Sequence, residues 1–163
     1  MTIIQQIQTL LGVEPDGAWG PKSQAALDLA VNDSSEIIHS VKASSFADPL
    51  DIAAFRKCKA QGHSDKFCFA YGDNGIGRWG DDTTTEVPMC ALPPEDWQSL
   101  GDAARGAKVL VKANGKEVVC ELRDTMPHRA NIKNGAGIDL NFSAVKTLGL
   151  QVPLMISATW QFV

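Results

Sequence analysis

The 163-residue chain has no excess of positive charge. Its 15 Lys and Arg stand against 19 Asp and Glu, a net charge of −4. A nucleic-acid partner needs a basic face, so that class is excluded, and nothing favours an anionic membrane surface. No apolar run approaches the roughly 20 residues that cross a bilayer as a helix. The three histidines, His39, His63 and His128, have no metal-ligand spacing, and the four cysteines form no C-x-x-C pair. Neither a zinc site nor any other cofactor is therefore expected. The glycines of Asp73-Asn74-Gly75-Ile76-Gly77 lack the strand and helix that frame a phosphate-binding loop. Residues 1–12 lack the basic segment and cleavage site of a signal peptide. Export would then follow removal of a leader, or a route such as the holin-dependent release of phage lysis enzymes.

What is present is concentrated between Lys108 and Leu150. Asn114-Gly115 separates two strand-like runs, and Asn-Gly is a strong hairpin signal because both turn positions need positive φ. In the second run Val118, Cys120 and Leu122 alternate with polar residues. Asp124 shares the parity of the apolar set, so it is expected to point toward the core or a cleft, where a carboxylate is costly unless bonded or useful. After a turn-rich loop ending in Asn134-Gly135-Ala136-Gly137, Asp139 sits between Ile138 and Leu140. Asn141 suits the N-cap of a helix over Phe142 to Leu148, with Gly149 as its stop. Two carboxylates on irregular backbone beside strands are what glycoside cleavage requires. A structural role, with the same carboxylates bonding backbone N–H groups, is the competing reading.

The segment from Ala43 onward resembles the double-psi β-barrel family of rare lipoprotein A, expansins and related endoglucanases. The matching residues are Ala43-Ser44-Ser45-Phe46, Cys90-Ala91-Leu92-Pro93, Arg123-Asp124-Thr125-Met126-Pro127, Gly137-Ile138-Asp139-Leu140-Asn141 and Leu148-Gly149. The resemblance covers roughly residues 41–163 and implies a mainly β fold, a six-stranded double-psi β-barrel, here with a helical insertion at about 49–71. It also implies glycan chemistry. Asp139 falls where expansin-like endoglucanases and membrane-bound lytic transglycosylase A carry the general acid, and Asp124 where rare lipoprotein A carries its key Asp. Burial beside Ile138 and Leu140 would raise the pKa of Asp139 and suit it to the acid role. The chain departs from rare lipoprotein A at two positions. Met89 stands where a groove histidine is found, and no Glu stands at the other position, for which Asp73, Asp81, Asp82 and Glu86 are substitutes.

Residues 1–35 read as a separate helical unit. Ile3, Ile4, Ile7, Leu10 and Leu11 have helical spacing, Pro15-Asp16-Gly17 is a turn, and Pro21 opens a second helix. That helix is expected to bury Ala25, Ala26 and Leu29, with Trp19 stapling the unit. The stretch LGVEPDGAWGPKSQAAL resembles the peptidoglycan-binding module of cell-wall hydrolases, through Leu11, Gly12, Asp16, Gly17, Gly20 and Ala26-Leu27. Residues 36–163 form the barrel domain. The four cysteines permit three pairings. Cys58–Cys68 and Cys90–Cys120 are the expected bridges, which would place maturation in an oxidising compartment; four buried thiols are the alternative.

The expected protein is thus a monomeric, secreted or periplasmic enzyme that cleaves peptidoglycan or a related polysaccharide, as a lytic transglycosylase or muramidase does. Asp139 and Asp124 are its candidate catalytic residues. Tyr71, Asp73, Trp79, Asp82 and His128 are candidates for substrate binding, the two aromatics because flat ring faces suit pyranoses. For Trp79 a plug at the barrel end is the other reading. The alternative functions are a non-catalytic, expansin-like glycan binder and a barwin-like inhibitor or toxin.

Overall fold

A computed structural model describes residues 1–34 and 37–163, with backbone alone for 31–34. It separates into two compact units, Met1–Ile37 and Ile38–Val163.

In the first unit, helix α1 (Ile3–Leu10) starts at a capping box in which Thr2 and Gln5 bond each other's backbone N–H. Helix α2 (Pro21–Ser34) begins at the expected proline. The unit is organised around a polar residue. Gln8 is wholly buried, its Nε2 lying 2.8 Å from Asp16 Oδ1, 2.9 Å from Ala18 O and 2.9 Å from Ser23 Oγ. Its Oε1 accepts from Gly17 N at 2.9 Å. Among the described residues the expected apolar core does not form, and Ala26 alone of the three expected helix positions is half-buried. Ala25 is exposed, as is Leu29, and Trp19 is partly exposed with its Nε1 donating to Gln24. Two helices this short cannot enclose an apolar stripe, so a hydrogen-bonded glutamine holds the turn to both.

The second unit is a closed barrel of six strands. These are β1 (His39–Phe46), β2 (Met89–Leu92), β3 (Lys108–Ala113), β4 (Lys116–Thr125), β5 (Ala136–Asn141) and β6 (Met155–Phe162), in the order β1-β5-β2-β4-β3-β6. Two pairs are parallel, β1 with β5 and β2 with β4, and an antiparallel β5–β2 contact joins them. The β3–β4 hairpin turns at Asn114 (φ 54°) and Gly115 (φ 68°), as the Asn-Gly signal requires. Inside, Val109, Val111, Cys120, Leu122, Ile138, Leu140 and Trp160 belong to one apolar core. Asn141 caps α6 (Phe142–Thr147) and is itself wholly buried. Its Oδ1 also accepts from Met89 N, while its Nδ2 donates to Thr83 O and Val87 O. The helical insertion comprises α3 (Pro49–Ala60) and α4 (Asp65–Cys68), each started by a side-chain cap, Asp48 and Ser64.

One bridge, Cys58–Cys68, ties α3 to α4 with Cα atoms 5.6 Å apart. The expected Cys90–Cys120 bridge is not formed, and both residues are free, buried thiols. The register explains this. On the parallel β2–β4 pair Cys90 lies opposite Leu122, and Cys120 lies opposite Val109 on β3. The two sulfurs meet only as hydrogen-bonded neighbours, and burial together with that contact pushes the Cys90 thiol well up. Two thiols in an apolar core pack as small hydrophobes.

Candidate functional site

The site is set by two interruptions of strand pairing. Between β1 and β5, Lys42 faces Ala136 but Ala43 faces Ile138, so Gly137 is an extra residue on β5. Between β2 and β4, Cys90 faces Leu122 but Ala91 faces Asp124, so Arg123 is an extra residue on β4. A bulge re-aims every side chain beyond it. Simple alternation would send Asp124 into the core with Leu122. The bulge at Arg123 turns it to the face of Ala91 instead, where Met126, two residues on, packs with Phe46, Ala47, Ala91 and Ala136 in a second apolar cluster.

On that face Ala91 of β2 is registered with both Asp139 of β5 and Asp124 of β4. The two carboxylates therefore stand in one row across three adjacent strands, with a methyl group between them. Two strand spacings put their backbones about 9–10 Å apart. Ser44 of β1 is registered with Asp139 on its other side, and its hydroxyl donates to Asp139 Oδ1. Asp124 Oδ1 accepts from Arg78 N at 2.9 Å and from Thr125 N at 2.7 Å.

Two glycines bring further acid to this row. A Cβ on Gly72 would lie 2.1 Å from Asp51 O of α3, and one on Gly77 would lie 2.2 Å from Arg123 O of β4. Both positions require direct backbone approach, and they clamp the 72–84 loop between the insertion and the bulge. Asp73, between them, accepts from Gly75 N at 2.6 Å. Asp51 lies in the first turn of α3, behind the buried cap Asp48.

The electrostatics follow from this crowding. Burial pushes Asp139 up to about 6; the Ser44 hydrogen bond opposes the shift, and the charges of Asp124, Asp51 and Asp73 reinforce it. Burial likewise raises Asp124 to about 6, against the two backbone N–H groups that favour its anion. Asp51 is raised to about 6 by burial and by the charges of Asp48 and Asp73, and burial raises Asp73. All four remain partly accessible. Such a cluster holds protons at mildly acidic pH where isolated carboxylates would have lost them.

Of the sequence candidates, Asp139, Asp124 and Asp73 come together. Asp82 does not join them: its exposed carboxylate accepts from Thr84 Oγ1 and Thr84 N, which lower its pKa, and its backbone bridges Ile76 to close the loop. His128 is exposed and faces Glu95, 3.1 Å away. Trp79 packs edge-on to Trp97 against the barrel core. Tyr71 lies exposed on the insertion, two residues before Asp73. Asp51 was not among the candidates. The visible sign was its place in the first turn of a helix begun by Asp48-Pro49, but no local signal tied that helix to Asp139. Among the described residues no His, Cys, Asp and Glu set has the arrangement of a metal site. No helix there is long and apolar enough to cross a membrane.

A closed six-stranded mixed barrel with two parallel strand pairs and helical insertions makes this chain a double-psi β-barrel protein. No family model matches it, and no curated protein sequence does. Among solved structures it is similar to a Streptomyces papain inhibitor, at 20% identity and a TM-score of 0.49, over 78% of this chain and 96% of that one. It is also similar to the expansin of Clavibacter michiganensis in its apo form, at 14% identity and a TM-score of 0.49. A point mutant of that expansin in complex with cellohexaose matches at 12% and 0.47. Each expansin match covers 78% of this chain and only half of the expansin. Likeness at this level bears on neither substrate nor activity.

Proposed function

We propose that the barrel binds a bacterial cell-wall glycan across the Asp139–Ala91–Asp124 row and cleaves it. The observation that carries this reading is the row itself: two carboxylates on one face, separated by a methyl group, both raised to about 6. Asp139, in the drier setting and with its ionised form supported by one hydroxyl, donates a proton to the glycosidic oxygen. Asp124, held by two backbone N–H groups, stays ionised to stabilise the oxocarbenium-like state or to act as base. Because the two groups interact, they titrate as a pair, and activity requires one proton between them. The expected profile is a bell centred in mildly acidic solution, falling above about pH 6 as the acid is lost.

The helical unit at residues 1–35 is assigned the role of wall anchor, on its likeness to peptidoglycan-binding modules. The Cys58–Cys68 bridge supports maturation in an oxidising compartment, hence secretion. A second reading, a glycan binder without catalysis, is favoured by one feature: Asp124 already satisfies Arg78 N and Thr125 N, as a loop-pinning carboxylate would. Release of soluble muropeptides from purified sacculi, with mass analysis for anhydro ends, separates the two. Cleavage lost in both Asp139→Asn and Asp124→Asn supports the enzyme. Wild-type protein that binds sacculi and releases nothing between pH 4 and 8 leaves the binder.

A further inference from the structure

We propose that the helical insertion carries a second glycan subsite, a recess in which the rings of His63, Phe67 and Tyr71 receive a pyranose unit beside Lys57 and Gln61. The proposal rests on the glycan reading of the carboxylate row and extends it along the same strand of polymer.

The three aromatics recur every fourth residue and form a continuous line of rings. The centroids of His63 and Phe67 are 4.4 Å apart, and those of Phe67 and Tyr71 are 5.4 Å apart. All three side chains are exposed, Phe67 by 46% and Tyr71 by 61%. Contiguous exposed rings on a small soluble unit mark a contact surface. This one is concave. The rings share with Ala54, Lys57 and Gln61 a cavity of about 370 Å3, within the range of small-molecule sites.

Its lining combines flat apolar faces with two long polar side chains. A pyranose offers the complement: a C–H face that packs on rings and equatorial hydroxyls for an ammonium and an amide. The floor is rigid, because Cys58 at the cavity wall is bridged to Cys68, and both pack on Phe55. The chain links the recess to the acidic cluster at two points, Ala54 one turn after Asp51 on α3 and Tyr71 two residues before Asp73. Tyr71 is followed by Gly72, which is locked on Asp51, and by Asp73 of the carboxylate cluster. A polymer seated at Asp139 and Asp124 would therefore reach the rings a few sugars away.

Tyr71 is the only tyrosine of the chain, so fluorotyrosine labelling yields a single fluorine resonance reporting this recess. Asp139→Asn protein, which prevents turnover, is titrated with N-acetylglucosamine oligomers and with solubilised glycan strands, alongside calorimetry. The expected result is a saturable shift of that resonance with the same Kd as the heat signal. Phe67→Ala should weaken binding about two- to twelvefold, the scale of one aromatic contact, with Tm unchanged. On the otherwise wild-type enzyme, Phe67→Ala should raise KM for long strands and leave kcat unaltered. Calorimetric binding that leaves the Tyr71 resonance unmoved overturns the subsite and spares the carboxylate reading. A shifted resonance with no cleavage by wild-type enzyme supports the subsite and sinks catalysis. Absence of binding by either readout overturns the subsite.

Discussion

Asp139 illustrates what a buried acid does to its own protein. A folded-state value of about 6, above the unfolded value near 4, means that the native state binds more protons between those limits. Stability from this group is fully present below about pH 4 and is lost as pH rises through 6. Asp139→Asn should therefore stabilise the fold at pH 7–8 by on the order of 1–3 kcal/mol, read as a higher Tm, and leave Tm unchanged near pH 4, while abolishing cleavage. Equal Tm values for both proteins across that range would mean that Asp139 is an ordinary surface acid. Ser44 supplies a finer test. Its hydroxyl favours the ionised form of Asp139, so Ser44→Ala should move the alkaline limb of the activity profile to higher pH. A profile that merely loses height without shifting would detach Ser44 from the titration.

At the level of elements, the docked 72–84 loop and the stapled insertion decide whether the row has walls. Gly77→Ala forces a methyl into Arg123 O. Overpacking of that kind costs about 1–3 kcal/mol, and it should also break the Arg78 N to Asp124 bond, measurable as a loss of protection of that amide from exchange. An amide as protected as in the wild type would show that the loop tolerates the methyl. Reduction of Cys58–Cys68 releases a short loop, worth about 2.5–3 kcal/mol in the chain-entropy model. Denatured, unreduced protein should titrate with two thiols, from Cys90 and Cys120; four would remove the bridge. Much of this scale was legible in the sequence. Asn114-Gly115, Asn141 and Pro21 act where their local chemistry placed them, since turns and caps are decided by a few neighbouring residues. The two bulges were not legible. A period-two pattern carries no mark of an extra residue, so alternation left Asp124 between the core and a cleft, and only the bulge at Arg123 selects the face of Ala91. The expected Cys90–Cys120 bridge failed on register between strands distant in sequence. Gln8 escaped for a related reason: a glutamine on a helix is ordinarily solvated, and only the returning turn at Asp16–Ala18 makes it interior.

For the whole molecule, the division into Met1–Ile37 and Ile38–Val163 predicts separable roles. Deleting residues 1–37 should leave a cooperatively unfolding barrel that still cleaves soluble glycan but no longer sediments with sacculi. Undiminished sedimentation would move the anchor onto the barrel. The closed strand order has a consequence of another kind, in time. Strand β1 pairs only with β5 and β6, so His39 must wait for Trp160 and Ser44 for Asp139. During synthesis the first strand of the barrel therefore leaves the ribosome long before either neighbour exists, and such long-range pairing is slow to form. The helices of the insertion, whose contacts are local, are complete well before the sheet. Strand β6, the last to emerge, fills the gap between β1 and β3. Until it arrives the nascent barrel has two open edges, at β1 and β3, and so the chain is sticky until it closes.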